Sequence, residues 1–99
     1  MDAQRWNSMS VSEQILNIGG EIQRAVDRQE KGKRDEADEF LSKAFEWLEL
    51  TKDDPKNKGR IKELDIAEDE VKDYFGANEW NNNCHSVMSY WDSFFSAIY

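Results

Sequence analysis

The segment from Ser86 to Tyr99 constrains the fold of this chain more than any other. It carries Val87, Met88, Tyr90, Trp91, Phe94, Phe95, Ile98 and Tyr99, with Ser86, Ser89, Asp92, Ser93 and Ser96 between them. At about 100° per residue, the apolar set falls on one half of a helix and the polar set on the other. An apolar half that wide needs more than one neighbour to cover it. Such a helix is either the centre of a bundle or part of a subunit interface.

The rest of the apolar volume points the same way. The chain has 99 residues, the size of one domain. Leu, Ile and Val are scarce, and four Trp, five Phe and three Tyr replace them. Each aromatic side chain can bury roughly 150–250 Å². So many of them are hard to hide inside one small monomer, and the expectation is a homodimer.

The net charge is −8, from 21 acidic and 13 basic residues. Nucleic-acid binding needs positive surface that displaces counterions from phosphates, so no nucleic-acid partner is expected. An anionic membrane surface is disfavoured on the same ground. The charge reads as a device that keeps an aromatic-rich protein dispersed. Cys84 is the only cysteine, which excludes an intramolecular disulfide and fits a reducing cytoplasm. The first ten residues lack a basic region followed by an apolar run, so no signal peptide is expected. No apolar stretch approaches the roughly 20 residues of a membrane span.

Along the chain the punctuation predicts an irregular segment over 1–9 and helices over about 10–29, 35–51, 57–75 and 84–98. Ser10 and Glu13 have capping-box spacing ahead of a stripe of Val11, Ile15, Ile18, Ile22, Ala25 and Val26. Gly19 and Gly20 interrupt that stripe, and close approach of another helix is the expected reason. Lys31, Lys33 and Arg34 suit a helix C-terminus, and Gly32 suits a left-handed cap. The next helix opens at Asp35, with an apolar face of Ala37, Phe40, Leu41, Ala44, Phe45, Trp47 and Leu48. So short a connection makes the first two long helices an antiparallel hairpin. Asp54 and Pro55 then fit a cap followed by proline in a first helical turn. The third face comprises Ile61, Leu64, Ala67, Val71, Tyr74 and Phe75, ended by Gly76 as a second left-handed cap. The resulting expectation is an all-α, four-helix bundle-like domain of two antiparallel hairpins.

Sites of chemistry are sparse. Glu63, Asp65, Glu68, Asp69, Glu70 and Asp73 are numerous enough to test as a metal site. Bundle di-metal sites pair Glu with Glu-x-x-His, but the residue three before His85 is Asn82. Lys62 and Lys72 stand at helical pairing distance from these acids, so the segment reads as a solvated face. Cys84 and His85 are adjacent, and adjacent residues on a helix do not face each other, which works against a nucleophile–base pair. A metal- or thiol-dependent enzyme using Cys84 and His85 is kept only as an alternative. No phosphate loop, dinucleotide fingerprint or nucleophile elbow occurs, so no cofactor is expected. Trp80 stands in a polar interhelical stretch, where tryptophan is either a lid on the core or an anchor for a partner.

Two resemblances and one failed comparison bear on this reading. Gly32 to Leu50, with Gly32, Ala37, Leu41 and Ala44 at small and apolar positions, looks like the second half of a tetratricopeptide repeat. No second copy follows about 34 residues on, so the likeness reads as shared helical-hairpin physics. A longer series resembles a family of small prokaryotic helical proteins without an assigned function. It comprises Arg5-Trp6, Ser10 to Gln14, Ile18 to Ile22 with Arg24-Ala25, Lys43 to Thr51, Asp73 to Phe75 and Asn78 to Trp80. That resemblance implies one helical domain and no activity. Nuclease members of the HEPN-type bundles carry Arg four to six residues before His. Positions 79–81 here are Glu79, Trp80 and Asn81, so an active nuclease of that type is disfavoured and a catalytically silent partner in a toxin–antitoxin or nucleotidyltransferase-type system stands as an alternative. The expected role is a non-enzymatic protein-interaction or regulatory module acting as a homodimer, with Met88, Phe95, Tyr99 and Trp80 as its interaction residues.

Overall fold

The computed structural model describes residues 2–76 and Trp91. Four α-helices run in order over Ala3–Asn7 (α1), Val11–Glu30 (α2), Arg34–Asp53 (α3) and Ile61–Phe75 (α4), with a 3₁₀ segment over Pro55–Arg60. Trp91 is also helical, and no strand occurs among the described residues. The domain is all-α and bundle-like, as the periodicity predicts.

Local chemistry sets each boundary. The Ser10 hydroxyl accepts from the Glu13 amide at 3.1 Å and donates to the Glu13 carboxylate at 3.2 Å, so the cap forms at the expected residue. At the far end of α2, Gly32 adopts φ +75°. Its amide donates to the Gln29 carbonyl and the Lys33 amide to the Arg28 carbonyl. These two bonds form a Schellman cap, which only a residue tolerant of positive φ completes at low cost. The three residues Lys31 to Lys33 then return the chain as an antiparallel α2–α3 hairpin.

The hairpin packs Ile15, Ile18, Ile22, Ala25 and Val26 of α2 against Ala37, Leu41, Ala44 and Leu48 of α3. Leu64, Ala67, Val71 and Phe75 of α4 belong to the same core, as do Trp6 and Trp91. Phe40, Phe45, Trp47 and Tyr74 pack around it half-buried. Small residues on α3 let the helices close, and the aromatics fill the margins.

Several expectations are corrected. The segment 1–9 is not irregular throughout: Asp2 caps α1 by accepting from the Arg5 amide at 2.8 Å. The stretch 57–60 is 3₁₀ rather than α, because Asp54 caps it, Pro55 opens it and the tighter winding carries Asn57 into the interior. Ile61, at the 3₁₀–α junction, is 39% exposed and not part of the buried face. Gly76 has φ −104°, so no left-handed cap forms there. The predicted helix 84–98 lies outside the described residues except for Trp91.

Candidate functional site

Four polar residues are buried where α1, α2, the end of α3 and the 3₁₀ segment meet. Gln14, Thr51 and Asn57 are fully buried, and Asp54 is nearly so. The Gln14 amide donates one proton to the Trp6 carbonyl at 3.0 Å and the other to the Asp54 carboxylate at 2.9 Å. Its oxygen accepts from the Asn57 amide at 3.0 Å. Asn57 also donates to the Thr51 carbonyl at 3.0 Å. The Thr51 hydroxyl donates to the Trp47 carbonyl and accepts the Trp6 indole proton at 2.9 Å.

Asp54 closes the network towards solvent. Its carboxylate accepts from the Lys56 backbone amide at 3.1 Å and from the Lys56 ammonium, which also donates to the Asn7 carbonyl. Burial pushes the Asp54 carboxyl up, but the bonds from Lys56 and Gln14 outweigh it and hold the group below its ordinary value. Nearly every donor and acceptor in the network is matched, which is the condition for a buried polar cluster to stabilise rather than cost. The Asn57 side-chain oxygen is the unmatched exception.

A second cluster joins α3 to α4. Lys52 reaches Glu49 at 3.3 Å, Asp65 at 2.7 Å and Glu68. Glu68 also accepts from Lys72 at 2.9 Å. Burial pushes Glu68 up, and its bonds to Lys52 and Lys72 bring it below its ordinary value. Burial likewise pushes Lys52 down, and its carboxylate partners raise it above its ordinary value. The acidic segment is therefore not uniformly a solvated face: Glu68 is buried and clamps two lysines. Among the described residues no three His, Cys, Asp or Glu side chains converge as ligands for a metal ion.

A cleft of about 300 Å³ lies beside this cluster, lined by Arg34, Leu41, Phe45, Lys72 and Phe75 among others. Its cations are already engaged. Arg34 donates to Asp38, Gln29 and the Phe75 carbonyl. Lys72 pairs with Glu68 and lies 5.4 Å from the centre of the Phe45 ring. The Arg34 bond to the Phe75 carbonyl and the Lys72 contact with the Phe45 ring join α3 to α4, and both of these cleft cations are engaged.

The third feature is a notch on α2. Trp91 is buried, and a Cβ built on Gly19 would stand 2.5 Å from the Trp91 Nε1. The glycine is there because the indole occupies the space of a side chain. Close approach, the expected reason for the glycine pair, applies to Gly19, whereas Gly20 meets only the end of Arg24.

The residues singled out as interaction candidates, Trp80, Met88, Phe95 and Tyr99, lie outside the described residues, as do Cys84 and His85. The buried polar network was not anticipated. Its signal was present, since Gln14 lies between Val11, Ile15 and Ile18 on the apolar stripe of α2. No described helix is long and apolar enough to cross a membrane. Comparisons with protein-family models, with curated proteins and with solved structures find no match to this chain.

Proposed function

We propose that this chain is a non-enzymatic protein-interaction module that acts as a homodimer, working in a reducing cytoplasm where Cys84 stays a thiol. The observation that carries this reading is the burial of Trp91 against Gly19. On the helical period, Phe95, Met88 and Tyr99 fall about 40–80° to one side of Trp91, and Phe94 and Tyr90 about 60–100° to the other. One notch on α2 receives one tryptophan, and side chains spread that widely need a second surface.

The areas support a second copy as that surface. Met88, Phe95 and Tyr99 with Trp80 can bury roughly 600–800 Å² per chain. A standard interface takes about 800 Å² from each partner. Association follows only if that apolar gain exceeds the lost translational and rotational freedom.

Light-scattering chromatography across a dilution series tests the reading. The expected result is a dimer that dissociates on dilution, and a Phe95→Asp variant that is folded and monomeric. A wild-type monomer at every concentration overturns the homodimer. Loss of folding in Phe95→Asp would place Phe95 in the monomer core and remove it from the interface.

A further inference from the structure

Helix α1 sends one buried side chain into the domain, and its main chain is held at the Trp6 carbonyl by Gln14 and at the Asn7 carbonyl by Lys56. Trp6 is fully buried, whereas Ala3, Gln4, Arg5 and Asn7 are exposed. The groups that hold Trp6 read both its side chain and its main chain. Its indole proton goes to Thr51 at 2.9 Å, its ring lies 5.2 Å from that of Trp47 at an interplanar angle of 31°, and its carbonyl accepts from Gln14.

Each reading group is set in place by residues outside α1. The Thr51 hydroxyl gives its own proton to the Trp47 carbonyl at 2.8 Å, which leaves an oxygen lone pair for an indole donor. Asn57 fixes the Gln14 oxygen and Asp54 takes one Gln14 amide proton, which aims the remaining proton at a main-chain carbonyl. An aromatic wall, an acceptor for N–H and a donor for the adjoining carbonyl are all supplied by residues outside α1. Preset partners of this kind are what a binding site for a tryptophan residue requires.

We propose that this end of the α2–α3 hairpin is a tryptophan-recognition site, with α1 as its tethered ligand. The class of ligand is a peptide segment bearing tryptophan, and the chain supplies its own through the short link Ser8, Met9 and Ser10. So short a tether gives Trp6 an effective concentration of about millimolar or more, which keeps the site filled against dilute competitors.

The test uses the full chain with Trp6→Ala, and as probes indole, 1-methylindole and a peptide of residues 1–9. Indole and the peptide should bind the variant saturably and raise its melting temperature. 1-Methylindole, which has no N–H to give Thr51, should bind about tenfold more weakly. Adding Thr51→Val should erase the difference between the two indoles. Wild type, whose site is filled, should show no shift at the same probe concentrations. A folded variant that ignores the probes, or a wild type that responds as strongly, overturns the site. Trp6→Phe covers the case in which Trp6→Ala does not fold. It keeps the ring and loses the donor, so hydrogen exchange of α1 amides should quicken about tenfold with α2 amides unchanged. Joint opening of α1 and α2 would mean that α1 is not a separable ligand.

Discussion

Gln14 and Gly19 show how much single residues on one stripe of α2 decide. Gln14 satisfies the Trp6 carbonyl, the Asp54 carboxylate and the Asn57 amide at once. Gln14→Leu keeps the volume and leaves those groups short of partners in a dry site. An unmatched buried polar group costs about 1–3 kcal/mol, and the added apolar burial offsets only part of that. The expected loss is about 3 kcal/mol by urea denaturation with an unchanged m-value. A loss below about 0.5 kcal/mol would mean that water reaches the network. The glycine pair allows a prediction of sign. Gly20→Ala meets only the flexible end of Arg24 at 3.6 Å, so it should stabilise by about 0.5–1 kcal/mol through helix propensity. Gly19→Ala carries the same propensity gain but drives a methyl group into the Trp91 indole. Overpacking costs about 1–3 kcal/mol, so adjacent glycines should respond in opposite directions in thermal unfolding. Two stabilising substitutions would mean that Trp91 does not sit tightly on α2.

At the scale of elements, the ion cluster between α3 and α4 gives the fold an acid limit. Glu68 lies below its ordinary value of 4.5 and Asp54 below 3.8, so each contributes stability that is complete above those values and lost as pH falls through the folded ones. Lys52 is raised above 10.5, so its contribution is present below that value and lost only as pH rises beyond it. All three act at neutral pH. Glu68→Gln removes the charge that holds Lys52 and Lys72, and should cost about 2 kcal/mol at pH 7. The gap between variant and wild type should narrow as pH falls below 4.5, in urea midpoints taken at each pH. A constant gap would mean that Glu68 acts by packing and not by charge. These elements differ in how legible they are in the sequence. The α2–α3 hairpin is readable, because Ser10, Gly32 and the apolar stripes of both helices agree. Helix α1 is not, because five residues are too few to show periodicity, and Asp2 ahead of Arg5 is its only signal. Nor is the network, because Gln14 and Thr51 stand at apolar positions of their helices, where a polar residue gains meaning only from partners far along the chain. Trp6 and Thr51 are 45 residues apart.

For the molecule as a whole, the charge and the aromatic content make opposing demands on association. A net charge of −8 makes two copies repel, while the apolar side chains assigned to the proposed interface would favour their contact. The balance fixes the sign of the salt effect. If the proposed interface is an apolar flank, salt screens the repulsion and leaves the apolar contact intact. The screening length falls from about 10 Å at 0.1 M to about 3 Å at 1 M. The dimer dissociation constant should then fall about three- to tenfold between these concentrations, and the melting temperature should rise with protein concentration at each. An interface of opposite charges would respond the other way. The chain has material for one, since Lys56, Lys58, Arg60 and Lys62 follow one another around the 3₁₀ segment while Glu46, Glu49 and Asp53 line exposed positions of α3. Sedimentation equilibrium at several salt concentrations separates the two. A dimer that weakens with salt would move the interface from the aromatic segment to these charged surfaces, and Phe95→Asp would then leave it intact.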